Sequence, residues 1–101
     1  MDISLLTEKM NQLVHAKGWY ETGSMRPQTP RNLAISLCLE TAEVLEHFQW
    51  QAEPRDMEGL SSELADVSLY LFQLASVLGM DLEQAILQKL EQNSSREWDL
   101  Q

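Results

Sequence analysis

The chain predicts an all-α fold, an antiparallel four-helix bundle-like domain completed by homo-oligomerisation. Three observations carry that expectation. Leu, Glu, Gln and Ala are common, while only three Pro and four Gly interrupt 101 residues, which favours helix over sheet. Apolar residues recur at helical spacing between recognisable start and stop signals. The second segment is apolar around most of its circumference, which in so short a chain implies a partner subunit.

The first helix is expected from about Asp2 to Lys17. Asp2 or Ser4 can cap it, Leu6, Met10, Leu13 and Val14 give the spacing, and Gly18 stops it. Gly18 to Pro30 reads as a loop rich in Gly, Pro, Ser and Thr. It carries Trp19, Tyr20, Met25 and Arg26, which either fold over a ligand or let Trp19 anchor the loop on the core.

The second helix opens with Thr29 as N-cap and Pro30 at the first helical position, and runs to about Gln51. Ala52 to Gly59 is a polar connection. The third helix spans roughly Leu60 to Leu78 and ends at Gly79. Asp81 caps the fourth, with Gln84 in the capping-box position and Leu82, Ala85, Ile86 and Leu90 facing inward. That helix fades near Ser94 and Ser95, leaving the tail Glu97–Gln101 loosely held. No repeat or second domain is visible, so residues 1–101 form one domain.

Seven basic and sixteen acidic residues give a net charge of -9. Such a surface repels nucleic-acid backbones and anionic membranes, and neither is expected as a partner. A polyanionic substrate would have to arrive with cations. Cys38 is the only cysteine and lies in an apolar run, which predicts a buried free thiol. The N-terminus lacks a signal-peptide pattern and no apolar run reaches membrane-spanning length, so the expected location is the cytoplasm.

The chemistry is expected on the second and third helices. Glu40 and Glu43 lie three residues apart and share a helix face, and Glu46 extends the row. Glu63 and Asp66 repeat the spacing on the third helix. A short connection makes the two helices antiparallel neighbours, so the pairs can converge. Four close carboxylates repel unless a cation is bound, and magnesium suits an all-oxygen site with room for phosphate. One such pair would read as solvated surface; two pairs within the most apolar helices favour the metal.

Lys89, Asn93 and Arg96 follow at i, i+4 and i+7 on one face of the fourth helix. They can bind phosphate oxygens or stabilise the helix end. Tyr70 stands one turn after Asp66 and can contact substrate or fill the core. Trp50 can stack on a base or cap its helix. His15 and His47 read as ordinary surface or boundary residues.

At these residues the chain resembles the MazG-like nucleotide pyrophosphohydrolases of the all-α NTP pyrophosphatase superfamily. The match runs through Pro30-Arg31-Asn32-Leu33, Glu40-Thr41-Ala42-Glu43-Val44-Leu45-Glu46, Phe48-Gln49-Trp50, and Glu63-Leu64-Ala65-Asp66-Val67 with Tyr70, to Lys89, Asn93 and Arg96. Phe48-Gln49-Trp50 and the Lys89/Asn93 pair look closest to the dCTP pyrophosphatase-like branch. The resemblance implies hydrolysis of a nucleoside triphosphate, dCTP or a related or modified dNTP, between its α and β phosphates. It implies Mg2+, replaceable by Mn2+, on Glu40, Glu43, Glu63 and Asp66. Glu46, next in the row, can orient the attacking water or act as base. Substrate contacts would come from Trp19, Arg31, Trp50, Tyr70, Lys89, Asn93 and Arg96. It further implies homodimers or homotetramers with sites built between subunits. The rival expectations are an all-α hydrolase of another nucleotide, such as phosphoribosyl-ATP, and a non-enzymatic helical dimer with a vestigial site.

Overall fold

The computed structural model describes residues 1–95, and each of its four helices starts at a side-chain cap. Asp2 accepts from the Leu5 amide at 2.9 Å and opens α1 (Ile3–Ala16). Thr29 accepts from Asn32 at 3.1 Å and opens α2 (Pro30–Glu46). Asp56 accepts from Gly59 and opens α3 (Met57–Val77), and Asp81 accepts from Gln84 at 3.1 Å and opens α4 (Leu82–Ser94). Each cap satisfies an amide that has no partner inside its helix.

α1 and α3 both end in a glycine turn of the Schellman type. At α3, Gly79 N–H donates to Ser76 C=O and Met80 N–H to Ala75 C=O, at 3.0 and 2.8 Å. Gly79 has φ +68°, which a side chain resists. At α1 the same pattern joins Gly18 to His15 and Trp19 to Val14, at 3.0 and 3.2 Å. The residue that enters the following loop is thus Trp19, already tied to its helix.

Two boundaries differ from the sequence reading. α2 stops at Glu46 rather than near Gln51. Its last carbonyls are taken up by the next loop, with Arg55 N–H donating to His47 C=O at 3.0 Å and the Arg55 guanidinium to Glu46 C=O at 2.9 Å. α3 begins at Met57, before Leu60, because Asp56 is a stronger start signal than Gly59 is a stop.

α3 is the central element. It packs most extensively on α2 and also on α1, while α4 packs chiefly on α1. The turn at Gly79 sets α4 at 107° to α3. Met10, Val14, Leu33 and Ala75 are the buried apolar residues among those described. The core of a single chain is therefore thin. Ala85, Ile86 and Leu90, expected to face inward, are exposed, because α4 swings away from the α2–α3 pair. Cys38, expected to be buried, is exposed as well. Among the described residues no single helix is long and apolar enough to cross a membrane.

Gly59 tests the start of α3. A Cβ at this position would lie 2.7 Å from Asp56 Oδ2. Gly→Ala inside a helix normally stabilises by about 1 kcal/mol, but here it displaces the capping carboxylate, a loss of about the same size. Gly59→Ala alone should therefore leave the urea midpoint nearly unchanged. In an Asp56→Ala background it should stabilise by about 1 kcal/mol, a coupling that a double-mutant cycle measures.

Candidate active site

Helical geometry decides which side chains of α2 share a face. At about 100° per residue, Glu43 lies some 60° from Glu40, and His47 returns to within about 20° of it. Glu46 is turned about 120° away, towards the side of Ile35 and Leu39. On α3, Glu63, Asp66, Tyr70 and Gln73 fall on one side by the same count. The packing of α2 on α3 brings these two faces together.

The electrostatics of Glu40 record that meeting. Its carboxyl is held above the ordinary value of 4.5, first by burial, then by the charge of Glu43 and a hydrogen bond with it, then by Asp66 and Glu63. One group feels the other three, so the four carboxylates occupy one neighbourhood. Glu46 is exposed and is not among the charges acting on Glu40. Glu40 Oε2 is buried without a hydrogen-bond partner, which leaves an acceptor whose lost hydration nothing in the chain replaces.

An unmatched carboxylate oxygen beside three further carboxylates fits a hard divalent cation. Among the described residues no three such donors are drawn tightly enough to form a finished coordination shell.

Glu63 differs from the others because it has a basic neighbour. His47 Nε2 stands 2.6 Å from Glu63 Oε2, the one ion pair among the described residues. The contact is close but not aligned as an ordinary hydrogen bond. His47 is only 6% exposed. It belongs to the site, contrary to its reading as a surface or boundary residue. The signal was the seven-residue interval from Glu40, close to two turns.

Beside Asp66 lies a cavity of about 180 Å³. Trp19, Leu69 and Tyr70 line it with Met10, Leu13 and Val14, and Arg26, Gln28 and Gln73 supply polar edges. The Arg26 guanidinium sits over the Trp19 ring, 5.7 Å from its centroid. Gln73 is buried and donates to Gln28 Oε1 at 2.6 Å. Tyr20 donates to Asn11, which in turn donates to Ser76 at 2.9 Å. Burial raises the Tyr20 phenol, and a hydrogen bond with Gln73 partly offsets that. This network ties the Gly18–Pro30 loop to α1 and α3. Trp19 thus both anchors the loop and walls the cavity, so the two readings of it do not exclude each other. Gln73 went unnoticed in the sequence, although it lies three residues after Tyr70 on the same side.

The other expected site residues are more scattered. Tyr70 also lines a second cavity with Asn32 and Leu33. Arg31 is exposed in the first turn of α2. Trp50 is 93% exposed, with φ +74°. It covers no apolar surface of its own chain, so it is not a hydrophobic cap there. Lys89 is exposed and Asn93 half-buried on α4, which packs on α1 rather than on the carboxylate-bearing pair. Arg96 lies outside the described residues. A wider cavity of about 420 Å³ sits where α1, the end of α3 and the start of α4 meet, lined by Thr7, Phe72 and Met80 among others, and none of the four carboxylates lines it.

Comparison with known proteins agrees with this architecture. A solved pyrophosphatase from Archaeoglobus fulgidus DSM 4304 superposes with a TM-score of 0.76 and 30% identity, over 90% of this chain and 87% of that one. The dCTP pyrophosphatase 1 of Homo sapiens is 38% identical, and that of Mus musculus 37%, each over 76 residues and 66% of this chain. The chain spans about 45% of the length of these relatives. Residues 35–99 match the MazG-like family, a stretch that takes in both carboxylate pairs and His47. On its helices, its paired carboxylates and this match, the chain belongs to the MazG-like family.

Proposed function

We propose that this chain is a magnesium-dependent nucleotide pyrophosphohydrolase. It cleaves a (deoxy)nucleoside triphosphate, dCTP or a related or modified dNTP, between the α and β phosphates, and releases monophosphate and pyrophosphate. The observation that carries this reading is the shared neighbourhood of Glu40, Glu43, Glu63 and Asp66. The named activity of the dCTP pyrophosphatases supports the reaction class.

Glu40, Glu43, Glu63 and Asp66 would hold the cation, with Mn2+ able to replace Mg2+. Bound there, it neutralises phosphate charge and lowers the pKa of an attacking water. The carboxylates also keep bare triphosphate out, because a net charge of -9 repels it unless metal accompanies it. The cavity beside Asp66 is smaller than the roughly 300–1,000 Å³ of a whole-ligand site. It suits one part of the nucleotide, the base or sugar, held between Trp19 and Tyr70 with the phosphates outside against the carboxylates. Trp50 holds a left-handed backbone costing about 1–2 kcal/mol with almost no packing in its own chain. That favours an aromatic reserved for substrate or partner.

The phosphate-binding row Lys89, Asn93 and Arg96 would come from a second subunit, since α4 packs on α1. The surface supports self-association as a homodimer or homotetramer. The chain exposes 7816 Å², whereas a compact monomer of its mass exposes about 5,800 Å². Leu39, Leu45 and Leu90 are among the exposed apolar residues, at 63%, 70% and 60%.

Pyrophosphate release across canonical and modified dNTPs, with and without Mg2+, tests the reading. Glu63→Gln and Asp66→Asn should each reduce turnover at least a hundredfold while circular dichroism stays that of the parent; full activity in both would rule the assignment out. In the metal-free chain, Glu40 binds its proton more tightly folded than unfolded. Stability should therefore fall as pH rises from 4.5 through its higher folded value. Glu40→Gln should flatten that slope and raise the melting temperature at pH 7 in EDTA; an unchanged slope would show that Glu40 is not strained. Light scattering should give two or four times 11.6 kDa, and Leu39→Glu should lower that mass.

A further inference from the structure

Burying an imidazole beside a carboxylate needs a reason. The pair removes two polar groups from water, and such pairs often stabilise no more than apolar residues of the same volume. His47 obtains little else for its burial. Its Nδ1 is buried with no hydrogen-bond partner, and the 2.6 Å contact with Glu63 is the only ion pair among the described residues. The backbone that carries the ring is nevertheless held by the following loop. The His47 carbonyl accepts from the Arg55 amide at 3.0 Å and from Gln51 Nε2 at 3.4 Å. Arg55 also grips the Glu46 carbonyl at 2.9 Å. The loop after α2 thus fixes the backbone at the point where this side chain emerges.

We propose that His47 is a positioning residue for the cation site. Its Nε2, 2.6 Å from Glu63 Oε2, limits the rotamers of that carboxylate and leaves the other oxygen for the cation. The inference rests on the metal-site reading above. It adds that α2 supplies the site with two carboxylates and also with the restraint on a carboxylate from α3. Of the four acidic groups Glu63 alone has this restraint. The physical gain is preorganisation. A carboxylate already held loses less freedom when a cation binds, and outer partners of metal ligands typically contribute 10–100-fold in affinity.

The test uses the full chain without nucleotide and Mn2+ as the probe, with free Mn2+ read by electron paramagnetic resonance. His47→Leu keeps the volume and removes the donor. His47→Gln places an amide N–H near the position of Nε2. His47→Leu should weaken Mn2+ binding by about 10–100-fold, with a melting temperature at or below that of the parent because Glu63 loses its basic neighbour. His47→Gln should recover most of the affinity. In a Glu63→Gln background, His47→Leu should cause no further loss. Parental Mn2+ affinity in His47→Leu, or equal losses in the Leu and Gln variants, would overturn the assignment. If Glu63→Gln and Asp66→Asn lose Mn2+ while His47→Leu does not, this inference fails and the metal site stands. If the parent chain takes up no Mn2+, both fail together.

Discussion

Like charges brought close together must be separated, protonated or matched by a cation, and the pairing of α2 with α3 imposes that choice on this chain. Glu40 shows the consequence. Burial and three neighbouring carboxylates hold its carboxyl above the ordinary value, and one of its oxygens has no partner. A fold selected for stability alone would place apolar residues along that seam. The seam instead carries acidic groups at the most extensive helix–helix contact in the chain. The caps at Thr29 and Asp56 set where each helix begins, and so which residues reach the seam.

The same contact explains why the chain looks unfinished. α3 is occupied by α2 on one side and α1 on the other, and the glycine turn at Gly79 sends α4 off at 107°. That leaves α4 with a half-covered face and α2 with an uncovered one. A buried apolar set as small as Met10, Val14, Leu33 and Ala75 is thin for the 95 described residues. Small domains commonly close such a deficit by association. In the proposed assembly the uncovered α2 face and the distant Lys89 and Asn93 have one common explanation, a second copy that covers the first and is supplied by the second.

Order in the long loop comes from polar contacts rather than from a core. Asn11, Tyr20, Gln28, Gln73 and Ser76 join α1, α3 and the loop through hydrogen bonds among half-buried and buried groups. Each would be costly if left unmade. Together they place Trp19 and its stacked Arg26 against a cavity that ends at Asp66. The cavity wall and the acidic pairs therefore share α3, through Tyr70 and Gln73 for the one and Glu63 and Asp66 for the other.

Much was legible in the residues themselves. Caps, glycine stops and three-residue carboxylate spacing are local, so Thr29, Asp81, Gly79 and the pairs Glu40/Glu43 and Glu63/Asp66 could be assigned from neighbours a few positions away. The helical class and the α2–α3 convergence followed from them. What depended on distant groups could not be read this way. The apolar run around Cys38 predicts burial, yet which side of α2 is covered depends on where α3 packs, and Cys38 is exposed. Ile86 and Leu90 carry the right spacing for a core that α4 never reaches within one chain. His47 looked isolated because its partner Glu63 lies on another helix, and Gln73 looked ordinary because its partners come from the loop. Local spacing determines which face a side chain shares; only packing between helices decides what that face meets.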